Sequence, residues 1–256
     1  MGLAKTARLN RIFSNPDGRI LSLAVDHFAG QSIPEGLHNV PATVKRLMEA
    51  RPDAVTMIKG MARSSWEPYA GRVPLILQSI IFPRTDVPLR RTTWCDEALL
   101  LGADAVAVSL QVRGKSEGDH LALFSEIVRD AALLDLPVVA HIYPHDFSYA
   151  DAPAVLTDHE SILWAVRCGV EYGADVIKVP FTGDADGFRE IIATSPVPVV
   201  CAGGPKTKTL EEALRMVEGV VASGARGLVA GRNIWGADDP VAAFRACRAL
   251  VHPDEA

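Results

Sequence analysis

Eight short runs of β-branched and aliphatic residues, separated by longer amphipathic segments, constrain this chain more than any other feature. The runs are Ile20–Asp26, Ala54–Lys59, Pro74–Ser79, Ala105–Leu110, Pro137–Tyr143, Asp175–Pro180, Val197–Ala202 and Gly227–Ala230. Most are apolar at successive positions. A strand built from such a run is buried on both faces, which is the pattern of a parallel sheet covered by helices. Helical periodicity fills Thr92–Leu101, His120–Leu134, His159–Tyr172 and Thr209–Ser223, with a last helix near Pro240–Val251. Met61–Ala70 reads poorly as a helix. Three connections, LGADAVAV, YGADVIKV and SGARGLVA, share one design, in which a Gly follows a helix and a small or charged pair leads into the next strand. Gly suits the helix C-cap, where φ is positive. Eight such αβ units favour a closed (β/α)₈ TIM barrel over a doubly wound sheet. No GxGxxG follows the first run, which removes the usual dinucleotide-binding reading.

The 256 residues fit one domain of this kind, spanning 1–256. Hydrophobic residues make up 48% of the chain, enough for a large core. The net charge of −5 gives no general pull toward nucleic acid or an anionic membrane, so any anion site must be local. No apolar stretch reaches the ~18 residues that span a bilayer, and MGLAKTARLN does not read as a secretory signal. The four cysteines, Cys95, Cys168, Cys201 and Cys247, form no CxxC pair. They read as reduced core residues of a cytoplasmic protein.

Barrel enzymes carry their chemistry at the C-terminal ends of the strands. Lys178 stands inside the apolar run Asp175-Val-Ile-Lys-Val-Pro180, where a charge is expensive to bury. Alternation puts Val176, Lys178 and Pro180 on one face. If that face lines the barrel, desolvation favours the neutral amine that attacks a carbonyl. A lysine that snorkels to the rim or pairs with a carboxylate is the competing expectation. Asp26 ends the first run, where it could orient a substrate hydroxyl or relay a proton, or serve as a turn or cap. Tyr143 ends the fifth, with His141 two residues before it on the same face. Its phenol could exchange a proton with a developing alkoxide, or be a packed aromatic. Lys59 ends the second, to carry substrate charge or to pair with a carboxylate such as Asp26. An independent signal lies in Ala202-Gly-Gly-Pro-Lys-Thr207 and Ala230-Gly-Arg-Asn-Ile234. Loops after strands seven and eight, with a short helix, form the recurrent phosphate site of barrels. Gly203, Gly204 and Gly231 admit an anion to the backbone, and Lys206 and Arg232 add charge.

The block VIKVPFTGDADGFREII, then PVPVVCAGGPKTKTLEEALRMV, then GARGLVAGRNIW, with the opening RLNRIFSNPDGRILSLAVDH, resembles the DeoC-type and archaeal-type class I fructose-bisphosphate aldolases. Similar too are the 2-amino-3,7-dideoxy-heptulosonate synthases and the thiolase-like aldolases of autoinducer-2 breakdown. The resemblance covers nearly the whole chain and is densest from Gly173 to Asp239. It implies a metal-free class I aldolase with no cofactor beyond a covalent imine at Lys178, Tyr143 for proton transfer and Asp26 as the assisting carboxylate. It also implies a phosphorylated small-molecule substrate held by the Gly203-Gly204 and Gly231-Arg232 loops, and a homo-oligomer. The chain departs from that pattern where Tyr143-Pro-His145-Asp146 replaces Tyr-Pro-Arg-Gly and where Asp26-His-Phe28 replaces Asp-His-Gly. The segments Ile80–Arg91 and Gln111–Gly118 also differ. His141 and His145 then mark a different acceptor. Two other readings stay open: a metal-dependent lyase using His141, His145 and Asp146, and a sugar-phosphate sensor on the same scaffold.

Overall fold

The computed structural model describes residues 2–26, 33–80, 85–148 and 153–255. Eight parallel strands are present: β1 (Ile20–Ala24), β2 (Ala54–Met57), β3 (Leu75–Gln78), β4 (Ala105–Val112), β5 (Val138–Asp146), β6 (Val176–Val179), β7 (Val199–Ala202) and β8 (Gly227–Ala230). Their order is β4-β3-β2-β1-β8-β7-β6-β5, and pairing of β4 with β5 closes the ring. The expected (β/α)₈ barrel is therefore the observed one. A two-residue strand, Ala154–Val155, adds antiparallel to the end of β5 through His145 and Asp146.

Ten helices lie among the described residues: α1 (Leu3–Ile12), α2 (Val40–Leu47), α3 (Lys59–Ser65), α4 (Cys95–Leu100), α5 (Glu117–Ala132), α6 (His159–Glu171), α7 (Ala185–Ala193), α8 (Leu210–Ala222), α9 (Arg232–Trp235) and α10 (Pro240–Val251). The segment expected to be a poor helix from Met61 is largely helical in α3, which starts at Lys59 and is followed by a 3₁₀ turn at Glu67–Tyr69. The glycines of the three repeated connections, Gly102, Gly173 and Gly224, have φ of 76°, 89° and 84°, as their C-cap role requires.

The aspartates of these connections have a further task. Asp104 accepts the Leu75 N–H (3.2 Å) and Asp175 accepts the Val138 N–H (2.9 Å), each at the opening of the preceding strand. Asp53, ahead of β2, does the same for Leu21 (2.5 Å). Each carboxylate also meets a base: Arg11 for Asp104, Lys5 for Asp175 and Arg248 for Asp53. A strand-initial N–H that would otherwise lack a partner is thereby satisfied, and α1 and α10 are fastened to the barrel floor.

Helix α1 closes that floor. Ile12, with Leu9 and Phe13, packs against the inner cluster of Ile20, Ala54, Ile76, Ala105, Val139, Val176, Val200 and Val229. These inward residues alternate along each strand with outward ones that pack under the helices. On the outer side Gly169 of α6 lies so close to β6 that a Cβ there would stand 2.7 Å from Ile177 Cδ1.

Candidate active site

Above the apolar floor the same inward columns turn polar. Ile20 and Ala24 lead to Asp26, Ile76 to Gln78, Ala105 and Ala107 to Ser109, Val139 to His141 and Tyr143, and Val176 to Lys178. Lys178 is therefore on the inner face, 4% exposed. Its register neighbour on β5 is His141, also buried. Tyr143 follows on the same column and is half-buried. The strand does not stop there: β5 runs on to Asp146, in register with β4 as far as Val112↔Pro144. Pro144 has no N–H to give the sheet, and its carbonyl accepts the Leu156 N–H (2.9 Å).

Gln78 holds Asp26 in place. Its Nε2 donates to Asp26 Oδ2 (3.1 Å) and Ser109 Oγ (2.8 Å). Its Oε1 accepts the N–H groups of Ser79 (3.1 Å) and Ile80 (3.3 Å), which fixes the amide's orientation. Sequence reasoning missed Gln78, whose one signal was a polar side chain at the end of an apolar run.

Lys59 sits elsewhere. Strand β2 ends at Met57, so Lys59 opens α3 and its Nζ pairs with Glu97 Oε2 (2.8 Å) rather than with Asp26. Glu97 also meets Arg63 (3.1 Å), and the Lys59 hydrogen bond leads the effects that hold its carboxyl below the ordinary range. Lys59 therefore belongs to an ion-pair cluster at the edge of α4.

The loops after β7 and β8 do come together. Gly203 N–H donates to Val229 O (2.9 Å), and a Cβ on Gly203 would stand 3.1 Å from Ala230 Cα. Gly204 has φ +68°, and nothing lies within 4 Å of where its Cβ would be. Gly231 is buried and caps α9. Arg232 is exposed and has no ion-pair partner among the described residues. Lys206 is exposed and pairs with Glu35 (3.1 Å), a contact worth ~0–1 kcal/mol that an incoming anion displaces cheaply. Asn233, which sequence reasoning passed over, joins the two loops by donating to Gly203 O and Pro205 O. Trp235 Nε1–H donates to Ala24 O (3.0 Å), seating α9 on β1.

His145 is separated from His141. It is buried in a cleft of about 670 Å³ lined also by Asp86, Arg113, Lys115, Asp158 and Glu160. Burial pushes its pKa down, against a hydrogen bond to Tyr143 O (3.0 Å) that raises it. The neutral ring thus donates through Nδ1 and presents Nε2 as an acceptor. Among the described residues no group of three or more His, Cys, Asp or Glu side chains is placed to hold a metal ion, so His141, His145 and Asp146 do not gather as ligands. His27 and Phe28, and residues 81–84 of the segment Ile80–Arg91, lie outside the described residues. No helix among the described residues is long and apolar enough to cross a membrane.

Comparison with known proteins agrees with this geometry. The DeoC/LacD family aldolase model matches residues 17–237. The class 1 fructose-bisphosphate aldolase of Thermoproteus tenax is 33% identical, with 96% of this chain and 94% of that protein covered. The 2-amino-3,7-dideoxy-D-threo-hept-6-ulosonate synthase 1 of Archaeoglobus fulgidus is also 33% identical, with 98% and 92% covered. An archaeal fructose-1,6-bisphosphate aldolase crystal structure superposes with a TM-score of 0.86 at 32% identity, covering 97% of this chain and 99% of the other. A similar structure, with a TM-score of 0.85 at 32% identity over 96% and 99%, holds its catalytic Lys covalently bound to the carbinolamine intermediate of the substrate. A barrel with a buried lysine among polar groups at its mouth, matched along most of its length in this way, places the chain in the DeoC/LacD family of aldolases.

Proposed function

We propose that the protein is a class I aldolase in which Lys178 forms a Schiff base with a phosphorylated ketose or with dihydroxyacetone phosphate. The observation that carries this reading is a 4% exposed lysine on the inner face of β6, beside the β5 column that bears His141 and Tyr143 and in the same ring as the β1 column that leads to Asp26. In free-base form, Nζ adds to the substrate carbonyl, and the carbinolamine takes up one proton from solvent as it loses water, which leaves a protonated imine. That imine accepts the electron pair of the adjacent carbon–carbon bond as it breaks. Tyr143 takes the proton from the departing hydroxyl and later returns one to the enamine carbon, while Asp26 orients hydroxyls. The backbone N–H groups of Gly204 and Gly231, with Lys206 and Arg232, hold the phosphate, and Gly203 lets the two loops approach closely enough to do so. No cofactor or metal enters the scheme.

A transaldolase-type synthesis on a related sugar phosphate is the second reading, favoured by the equal identity to the Archaeoglobus synthase. The acceptor half is expected against His145 and its cleft, where the Arg-Gly of the related pattern is His145-Asp146. A cytoplasmic homo-oligomer fits the same reading; the exposed Leu3, Leu100 and Leu133 are candidates for burial between copies.

Borohydride treatment with dihydroxyacetone phosphate, followed by peptide mass mapping, tests the proposal. It predicts a mass increase on the peptide carrying Lys178. Labelling of another lysine, or of none across a panel of ketose phosphates, defeats it. With the imine in hand, supplying acceptor aldehydes one at a time separates cleavage from transfer.

A further inference from the structure

We infer that Asn233 is a positioning residue that holds the anion-binding backbone of the loop after β7 in its working shape. This rests on the phosphate cradle proposed above. Asn233 Nδ2 donates to Gly203 O (2.9 Å) and Pro205 O (3.0 Å), while Oδ1 accepts the Thr207 N–H (2.8 Å). Both amide hydrogens and the amide oxygen are engaged, so the side chain cannot flip without setting oxygen against carbonyl oxygen. The Thr207 hydroxyl, in turn, donates to Thr209 O (2.8 Å), which ties the loop to the start of α8.

The consequence follows from peptide geometry. In a trans peptide the C=O and the next residue's N–H point in opposite directions. Drawing the Gly203 and Pro205 carbonyls toward Asn233 therefore turns the N–H groups of Gly204 and Lys206 away from it. Neither N–H has a hydrogen-bond partner among the described residues. Beside them Gly204, at φ +68°, has open space where a side chain would be. Two unengaged donors are thus turned away from Asn233 before any ligand arrives, and a phosphate meets them without a cost for ordering the loop. Asn233 lies on α9 next to Arg232, so the element that shapes the loop also carries the cation proposed for the phosphate. The recognised group is a phosphate monoester, and the effect of Asn233 is confined to substrates that carry one.

The experiment compares dihydroxyacetone phosphate with unphosphorylated dihydroxyacetone as donors, in the wild type and in Asn233→Ala, by the rate of borohydride trapping at Lys178. Inorganic phosphate serves as a competitor. For Asn233→Ala the concentration of dihydroxyacetone phosphate giving half-maximal trapping should rise about tenfold or more, with trapping by dihydroxyacetone within about twofold of wild type. Inorganic phosphate should compete correspondingly more weakly. Equal loss with both donors would mean a general structural role and overturn the inference, as would an unchanged preference for the phosphorylated donor. A wild type with no preference between the donors would instead remove the phosphate cradle itself. Asn233→Gln keeps the amide but reaches one methylene further. If Asn233→Ala does not fold, this variant is read by the same two donors.

Discussion

Lys178 and Gln78 differ in how each could have been found. Lys178 was legible because a lysine in an apolar run is rare and its strand parity is fixed by Val176. Replacing it with Ala should abolish borohydride trapping and lower turnover by roughly 10⁴-fold or more; near-normal turnover would remove the imine from the scheme. Gln78 and Asn233 were not legible. Their partners lie 52 and 31 residues away for Gln78, and 28 to 30 for two of the bonds of Asn233, so no local pattern announces them. Gln78→Leu removes the amide donor from Asp26, and turnover should fall about 10- to 100-fold while the trapped adduct still forms. Loss of the adduct as well would show that Gln78 supports Lys178 instead. The second run was read two residues too long, to Lys59, because the polarity of a run's last residue does not reveal whether the strand has already ended; its pairing with a carboxylate was foreseen, with Glu97 in place of Asp26. Two residues convert a rim lysine into the first residue of a helix.

At the scale of elements, strands and helices were legible because burial on two faces and 3.6-residue periodicity are properties of the chain itself. Helix α1 was not anticipated, since its role is to close the floor against residues from every part of the chain. Strand β5 was read short because proline usually ends a strand, whereas here the position past Pro144 still pairs. The contact of α6 with β6 gives a test that does not involve the chemistry. Gly169→Val places methyl groups against Ile177 and Ile142, and overpacking of this kind costs ~1–3 kcal/mol. At this chain length Tm should fall by about 2–4 °C per kcal/mol, as scanning calorimetry would register. An unchanged Tm would mean that the helix shifts freely. In the loop after β7, Gly204→Ala meets no neighbour but is held at φ +68°, a strain of ~1–2 kcal/mol. Its KM for the phosphorylated donor should rise, and an unchanged KM would remove Gly204 from the phosphate cradle.

For the whole molecule, stability depends on a charged cluster at the barrel floor. His252 is buried with Nδ1 to Asp17 (2.8 Å) and Nε2 to Asp53 (2.9 Å). Burial opposes its charge, but the two carboxylates outweigh it and the pKa is raised above 6.5. The stabilisation is therefore complete below the unfolded value and is lost as pH rises through the folded one. Asp17 has the opposite sign. Burial would raise its pKa, yet the Arg19 N–H and His252 bring it below 3.8, so its contribution is lost in acid. His252→Gln should flatten the decline of Tm above about pH 6.5; an identical decline in the variant would assign the slope to other groups. The four cysteines are buried and unpaired with one another. Desolvation pushes the thiols of Cys95 and Cys247 up to about 11. Alkylation by iodoacetamide should therefore be slow until the fold is opened by denaturant.

Helix α1 and the His252 end of α10 are both fastened to the aspartates at the barrel floor, on the side opposite the strand ends that carry Lys178 and Tyr143. A surface or a fused protein attached at either end of the chain therefore meets the floor and leaves the mouth facing solution. Immobilised through residue 2 or through residue 255, the barrel should be equally open to its substrate, and its apparent KM should match that of the free protein.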